Sequence, residues 1–215
     1  MNIKKILKLI LLALAMLFAY EAVAVYKARS VTIEKFNNIL NSKEMELSLE
    51  VVSQQRVDDL LKVQDPKFFE HSGIDFNTAG AGLTTITQAM VKYLYFEKFR
   101  SGMMKIEQSL IAWLAVNPMI SKQDQLTVFI NTAYFGTIAN KAVKGFAQAA
   151  NIYFDKSFEQ LSQDEYLALV AMLIAPDGYS VKNHPEKNQA RVVRIKKLLD
   201  GSYQPQGIND VYYNL

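Results

Sequence analysis

Val63–Lys92 reads VQDPKFFEHSGIDFNTAGAGLTTITQAMVK. An acid (Asp65), paired aromatics (Phe68, Phe69), Glu70 and His71 crowd around a turn at Ser72-Gly73. A second glycine-bearing turn (Gly80, Gly82) leads into Thr84-Thr85-Ile86-Thr87-Gln88, a hydroxyl-rich helix start that continues through Met90 and Val91 to Lys92. A buried scaffold rarely uses so many polar and special-geometry residues in one short run. The stretch is expected to form one wall of an active or binding cleft.

Helices flank it on both sides. Upstream, Ser53 is a natural N-cap, and Val57, Leu60 and Leu61 at i, i+3 and i+4 give an apolar face. Pro66 ends that helix, because proline disfavours helical geometry in the residue before it. Downstream, Tyr93–Arg100 mixes aromatics with bases, which suits either a membrane interface or ordinary helix packing. Ser101-Gly102 breaks the chain. Met104–Val116 then reads as a helix burying Ile106, Leu110, Trp113 and Leu114, stopped by Asn117-Pro118. Ser121 with Asp124 three residues on opens the next helix, which carries Leu126, Phe129 and Ile130. Leu161-Ser162-Gln163-Asp164-Glu165 caps a very apolar helix, Tyr166–Ala175, which Pro176 and Gly178 terminate. No period-two pattern persists, so the domain is expected to be all-α.

The chain has 215 residues, half of them hydrophobic, a formal net charge of +3 and no cysteine. That suits one domain with a small appendage and excludes disulfide frameworks and thiolate chemistry. The mild charge does not argue for nucleic acid. Two histidines are too few for a histidine-based metal site. Lys4, Lys5 and Lys8 precede the apolar run Leu9–Tyr26, whose roughly 18 residues suffice to cross a bilayer. The lysines favour a cytoplasmic N-terminus and an exported body in the cytoplasmic (inner) membrane, single-pass. Ala22-Val23-Ala24 keeps a cleaved signal peptide as the rival reading. Glu21 would sit near the outer interface, and residues 30–50 read as a short helical or extended stalk.

The motifs resemble the peptidoglycan glycosyltransferases of class A penicillin-binding proteins and their monofunctional relatives. That family's first motif, Glu-Asp-x-x-Phe-x-x-His-x-Gly, aligns with Gln64–Gly73, and its second, Gly-Gly-Ser-Thr-Ile-Thr-Gln-Gln-x-x-Lys, with Gly82–Lys92. Its third, Arg-Lys-x-x-Glu, falls on Lys105–Ser109; its fourth, Leu-Asn-x-x-Tyr-Phe-Gly, is similar to Ile130–Gly136; its fifth ends Tyr-Phe-x-Lys, as does Tyr153–Lys156. The resemblance covers about Ser53–Leu199. It implies a lysozyme-like all-α glycosyltransferase domain over 53–200, behind a cytoplasmic stub and anchor over 1–29 and a stalk over 30–52, with a tail over 201–215.

The implied chemistry joins the 4-hydroxyl of one lipid-linked disaccharide to the anomeric carbon of a growing glycan, with undecaprenyl pyrophosphate leaving. By resemblance Gln64 and Asp65 occupy catalytic positions. Substrate-binding positions are His71, Thr85, Thr87, Gln88, Lys92, Lys105, Ser109, Asn131 and Lys156, with Lys92, Lys105 and Lys156 toward the phosphates. No resident metal is implied; a divalent cation at the pyrophosphate stays open. Three carboxylates of the family pattern are replaced here, by Gln64, Ser109 and Thr127. A Gln amide accepts no proton at useful pH, so Asp65 or Glu70 would have to substitute as base. Three functions follow: a glycosyltransferase, impaired by Gln64; an inactive relative that binds precursor or glycan as a cell-wall scaffold; or a glycan-cleaving enzyme, which needs a raised-pKa acid. The expected partners are lipid-linked disaccharide-peptide precursor, nascent glycan, the membrane, and a transpeptidase or other cell-wall protein that does any crosslinking.

Overall fold

The computed structural model describes residues 2–100 and 102–214. The break expected at Ser101 therefore lies outside the described residues. The elements are α1 (Ile3–Leu40), α2 (Gln54–Gln64), α3 (Ile86–Tyr95), α4 (Met103–Ile111), α5 (Asn117–Met119), α6 (Lys122–Thr132), β1 (Tyr134–Ile138), β2 (Lys141–Lys144), α7 (Phe146–Phe154), α8 (Gln163–Met172) and α9 (Pro185–Leu199). A π-helical stretch, Ala112–Val116, joins α4 to α5. The fold is helical around one core, in which α8 is the most enclosed element: its residues Tyr166–Met172 are all buried.

Local signals place the helices. Ser53 accepts from Arg56 N–H, Ser121 from Asp124 N–H, and Ser162 forms a reciprocal box with Glu165. Thr85 does the same with Gln88 at the start of α3, satisfying two helix N–H groups that otherwise lack partners. The helix before Pro66 stops at Gln64.

Several expectations are refined. Of the two stalk readings, residues 30–40 take the helical one, as the last turns of α1, a 38-residue helix long and apolar enough to cross a membrane. Beyond the exposed apolar stretch, Ala28, Thr32 and Phe36 are buried, and Phe36, Leu47 and Val52 belong to the core cluster. Thr32 and Tyr95 share a 2.8 Å hydrogen bond, so part of the aromatic run after Lys92 packs on α1. Glu21 is 5% exposed, packed against the domain.

The face of α4 also differs. Ile106 and Trp113 are 47% and 44% exposed, whereas Gln108, Ile111, Ala112, Ala115 and Val116 are buried. Pro118 does not stop the helix, because the π-helical turn carries the chain through to Met119. One extra residue per turn in such a segment rotates the following side chains relative to α-helical spacing, so 3.6-residue counting misplaces them.

The domain is all-α as expected, with one small hairpin added: β1 and β2 pair antiparallel, Ile138 opposite Lys141. Ala139 and Asn140 both have positive φ, the geometry of a tight two-residue hairpin turn. A register irregularity between Tyr134 and Thr137 spans Gly136, whose φ is 101°.

Candidate active site

The first motif is a hydrogen-bonded bracket. Gly73 N–H donates to His71 Nδ1 (3.0 Å), so Nδ1 is the acceptor and Nε2–H donates to Asp65 Oδ1 (2.8 Å). The other oxygen of Asp65 accepts from Ile86 N–H (2.9 Å) at the start of α3, and Asp65 is 1% exposed. Thr85 Oγ1 donates to Gly73 C=O (2.7 Å). One carboxylate thus ties the turn after α2 to the N-terminus of α3, whose free N–H groups and dipole favour negative charge.

The second motif is held from behind by amides. Thr87 is fully buried and donates to Gln125 Oε1 (2.7 Å), and Gln88 Nε2 donates to Ser109 Oγ (2.8 Å). Ser109 donates to Lys105 C=O, and Gln108 Nε2 to Gln88 C=O. These side chains lock α3 to α4 and α6. They shape the site without facing it.

In front of this frame lies a cleft of about 460 Å³. Gln64, Thr84, Thr85, Lys92, Tyr93, Tyr134, Gly80–Gly82, Arg191 and Val211 line it. Lys105 Nζ donates to Thr84 Oγ1 (2.8 Å), and burial, then the charge of Lys92, hold its pKa below the usual lysine value. Among the described residues neither Lys92 nor Lys105 is paired with a carboxylate, so this part of the site carries uncompensated positive charge. Beside it an apolar groove of about 420 Å³ is lined by Ile74, Phe76, Leu83, Ile106, Leu110 and Trp113, with Lys105 and Ser109 at its edge. Leu83 borders both cavities.

Of the expected site residues, Gln64, Thr85 and Lys92 line the cleft, Lys105 and Ser109 border the groove, and Asp65, His71, Thr87 and Gln88 form the frame. Two stand apart. Asn131 is 6% exposed and exchanges hydrogen bonds with both backbone groups of Leu47 (2.9 and 2.7 Å), fastening the segment after α1 to α6. Lys156 is paired with Glu165 at 2.6 Å and is not among the cleft-lining residues. Sequence reasoning missed Val211 and Arg191 in the lining. No local signal marks Val211, and Arg191 reads as one more base on a basic helix.

No Asp or Glu is among the lining residues of the cleft. Asp65 is occupied as described, and Glu70 lies out on the surface beside Lys67 (3.5 Å). Asp75 accepts from Asn77 and Thr78 N–H; burial pushes its carboxyl up, but these bonds and that of the Thr78 hydroxyl bring it below the usual range. None of these three carboxylates is among the residues that line the cleft.

Behind the bracket, Lys122 Nζ lies 4.4 Å from the centre of the Phe68 ring, buried and without a hydrogen-bond partner. Burial pulls its pKa down to about 8, against the opposing pull of Asp65. Between about pH 8 and the ordinary 10.5 the unfolded chain therefore binds more protons than the folded one, so stability rises with pH across that window. Lys122→Met should remove the part of the rise that Lys122 contributes, leaving that of Lys105, which thermal melts taken across this range detect.

The comparisons agree with this geometry. A family model described as Transglycosylase matches residues 30–200. Penicillin-binding protein 1B of Escherichia coli is 29% identical over 172 residues, covering 74% of this chain and 20% of that protein. Penicillin-binding protein 1F of Bacillus subtilis is 29% identical, covering 67% and 21%. Penicillin-binding protein 1A of Aquifex aeolicus is 28% identical, covering 85% and 26%. The chain thus spans about a fifth to a quarter of the length of these relatives. The family match covers most of the chain, including the motif bracket and all of the cleft lining except Val211: this chain belongs to the transglycosylase family of peptidoglycan glycosyltransferases.

Proposed function

We propose that this protein binds a pyrophosphate-linked glycan precursor at the membrane and, as written, does not polymerise it at an appreciable rate. The observation that supports this is the cleft lining, which contains Gln64 and, among the described residues, no Asp or Glu; by resemblance Gln64 stands where the family carries its catalytic Glu. Glycosyl transfer to a sugar hydroxyl needs a group that takes the hydroxyl's proton, and cations that take charge growing on the leaving pyrophosphate. The second half is here, in Lys92 and Lys105 with Thr84 and Thr85. The first is not. Gln64 can still hydrogen-bond the hydroxyl it cannot deprotonate.

The apolar groove beside Lys105 fits the start of a polyprenyl chain, and α1 would hold the domain where such lipids lie, on the extracytoplasmic side. On this reading the protein works as a precursor or glycan receptor within cell-wall assembly.

The test is equilibrium binding of lipid-linked disaccharide to the full chain in detergent micelles, beside a polymerisation assay. Binding without polymer is expected. Lys92→Met and Lys105→Met should each weaken binding by about tenfold or more, the size of one charge-assisted hydrogen bond. Because the pKa of Lys105 is lowered, affinity should already decline, as pH rises, below the ordinary lysine range. Polymer formed by the unaltered chain sinks the proposal.

A further inference from the structure

Beyond α9 the chain doubles back over the loop at 80–82. Gly80 N–H donates to Gly207 C=O (2.9 Å) and Gly82 N–H to Ile208 C=O (2.8 Å), so two backbone segments pair side by side. Both glycines have positive φ, 77° and 71°. Neither has room to spare: a Cβ on Gly80 would stand 2.7 Å from Pro205, and one on Gly82 would stand 3.0 Å from Val211. Tyr213 is 1% exposed and its hydroxyl donates to Val63 C=O (2.9 Å), the residue before Gln64. Arg191 Nη1 donates to Val211 C=O (2.9 Å), while the rings of Tyr179, Tyr212 and Tyr213 surround the guanidinium at 5.4–6.0 Å. Among the described residues no carboxylate pairs with this buried arginine. Ring faces and the Val211 carbonyl take that role.

These bonds hold Val211 in the cleft lining with Gln64. We propose that residues 203–214 belong to the ligand site, as the wall beside Gln64, and that Val211 is a specificity-determining residue that touches the sugar. The assignment rests on the reading that the cleft takes a pyrophosphate-linked glycan. Lys92 sits two helical turns into α3, about 10 Å from Thr85 along the axis, and contributes charge. Gln64 marks the position of a sugar hydroxyl. A small aliphatic side chain next to Gln64 meets the C–H face of a sugar ring, and a larger one occupies the ring's space.

The experiment compares two probes on the full chain in detergent micelles: polyprenyl pyrophosphate carrying the disaccharide, and the same lipid pyrophosphate without sugar. Val211→Trp is expected to weaken the disaccharide probe by about tenfold or more and to leave the bare probe within about twofold. Val211→Ala, which removes the contact without displacing the segment, weakens only the disaccharide probe, by about fivefold. Lys92→Met weakens both. Hydrogen exchange at the Gly80 and Gly82 amides checks that the segment stays docked in each Val211 variant. Equal effects on both probes, or no effect on either, overturn the assignment alone. If the unaltered chain takes up neither probe, the reading of the cleft has failed and the assignment falls with it.

Discussion

Gln64→Glu should raise glycan polymerisation from lipid-linked disaccharide by about 10²–10⁴, the usual contribution of a positioned base. The substitution is nearly isosteric, and Gln64 closes α2 at a half-buried position on the cleft wall. Nothing in the frame has to move: the Asp65–His71–Gly73 bracket, the Thr85–Gln88 cap and both lysines stay as they are. A carboxylate there would share the cleft lining with Lys92 and Arg191 and with no other acid among the described residues. The readout is polymer length and yield with purified precursor, comparing the two chains at equal occupancy. A silent Gln64→Glu chain that still binds precursor would mean that the replacements at Ser109 and Thr127 also matter. The next chain to make would then carry glutamate at all three positions.

Asp65→Ala is expected to be the most damaging single change to stability in the site. It leaves Ile86 N–H without its acceptor inside a closed core and leaves His71 Nε2–H without its carboxylate. Each orphaned group costs about 1–3 kcal/mol, so the loss is about 2–6 kcal/mol. For a chain of this size that corresponds to a fall in Tm of roughly 5–20 °C. Asp65→Asn keeps one acceptor and should lose about half as much. Thermal melts of the three proteins decide it. If Asp65→Ala melts with the parent, the bracket is not what holds α3 to the turn. Precursor binding should weaken with the same ranking, because the bracket sets where Thr85 and Lys92 stand relative to Gln64.

The helix starts were legible because capping is local. Ser53, Thr85, Ser121 and Ser162 each sit next to the N–H groups that they satisfy. The motif residues were legible as a group for the same reason, being close in sequence around two glycine turns. What escaped depends on distant partners. Phe36 reads as one apolar residue among charges, and only the core that closes over it makes residues 30–40 part of the domain. Ile106 and Trp113 sit at helical spacing, yet the residues buried are Gln108 and the small alanines, because Gln108 has Gln88 C=O to bond and the π-helical turn shifts the register. The hairpin at 134–144 escaped because its strands are five and four residues long and its turn is Ala-Asn, without the glycine that signals such turns. Lys156 and Asn131 shared the motif pattern but found structural partners, Glu165 and Leu47, which spacing alone does not reveal.

The continuity of α1 has a mechanical consequence. A single helix of 38 residues is about 57 Å long, and its far end is clamped in the core by Phe36. No swivel separates the apolar stretch from the domain, so the helix sets both the height and the compass bearing of the cleft mouth. Inserting one residue near Val25 would turn everything beyond it by about 100° while lifting it only about 1.5 Å. A ligand that enters sideways while rooted in a lipid layer would then meet a cleft facing the wrong way.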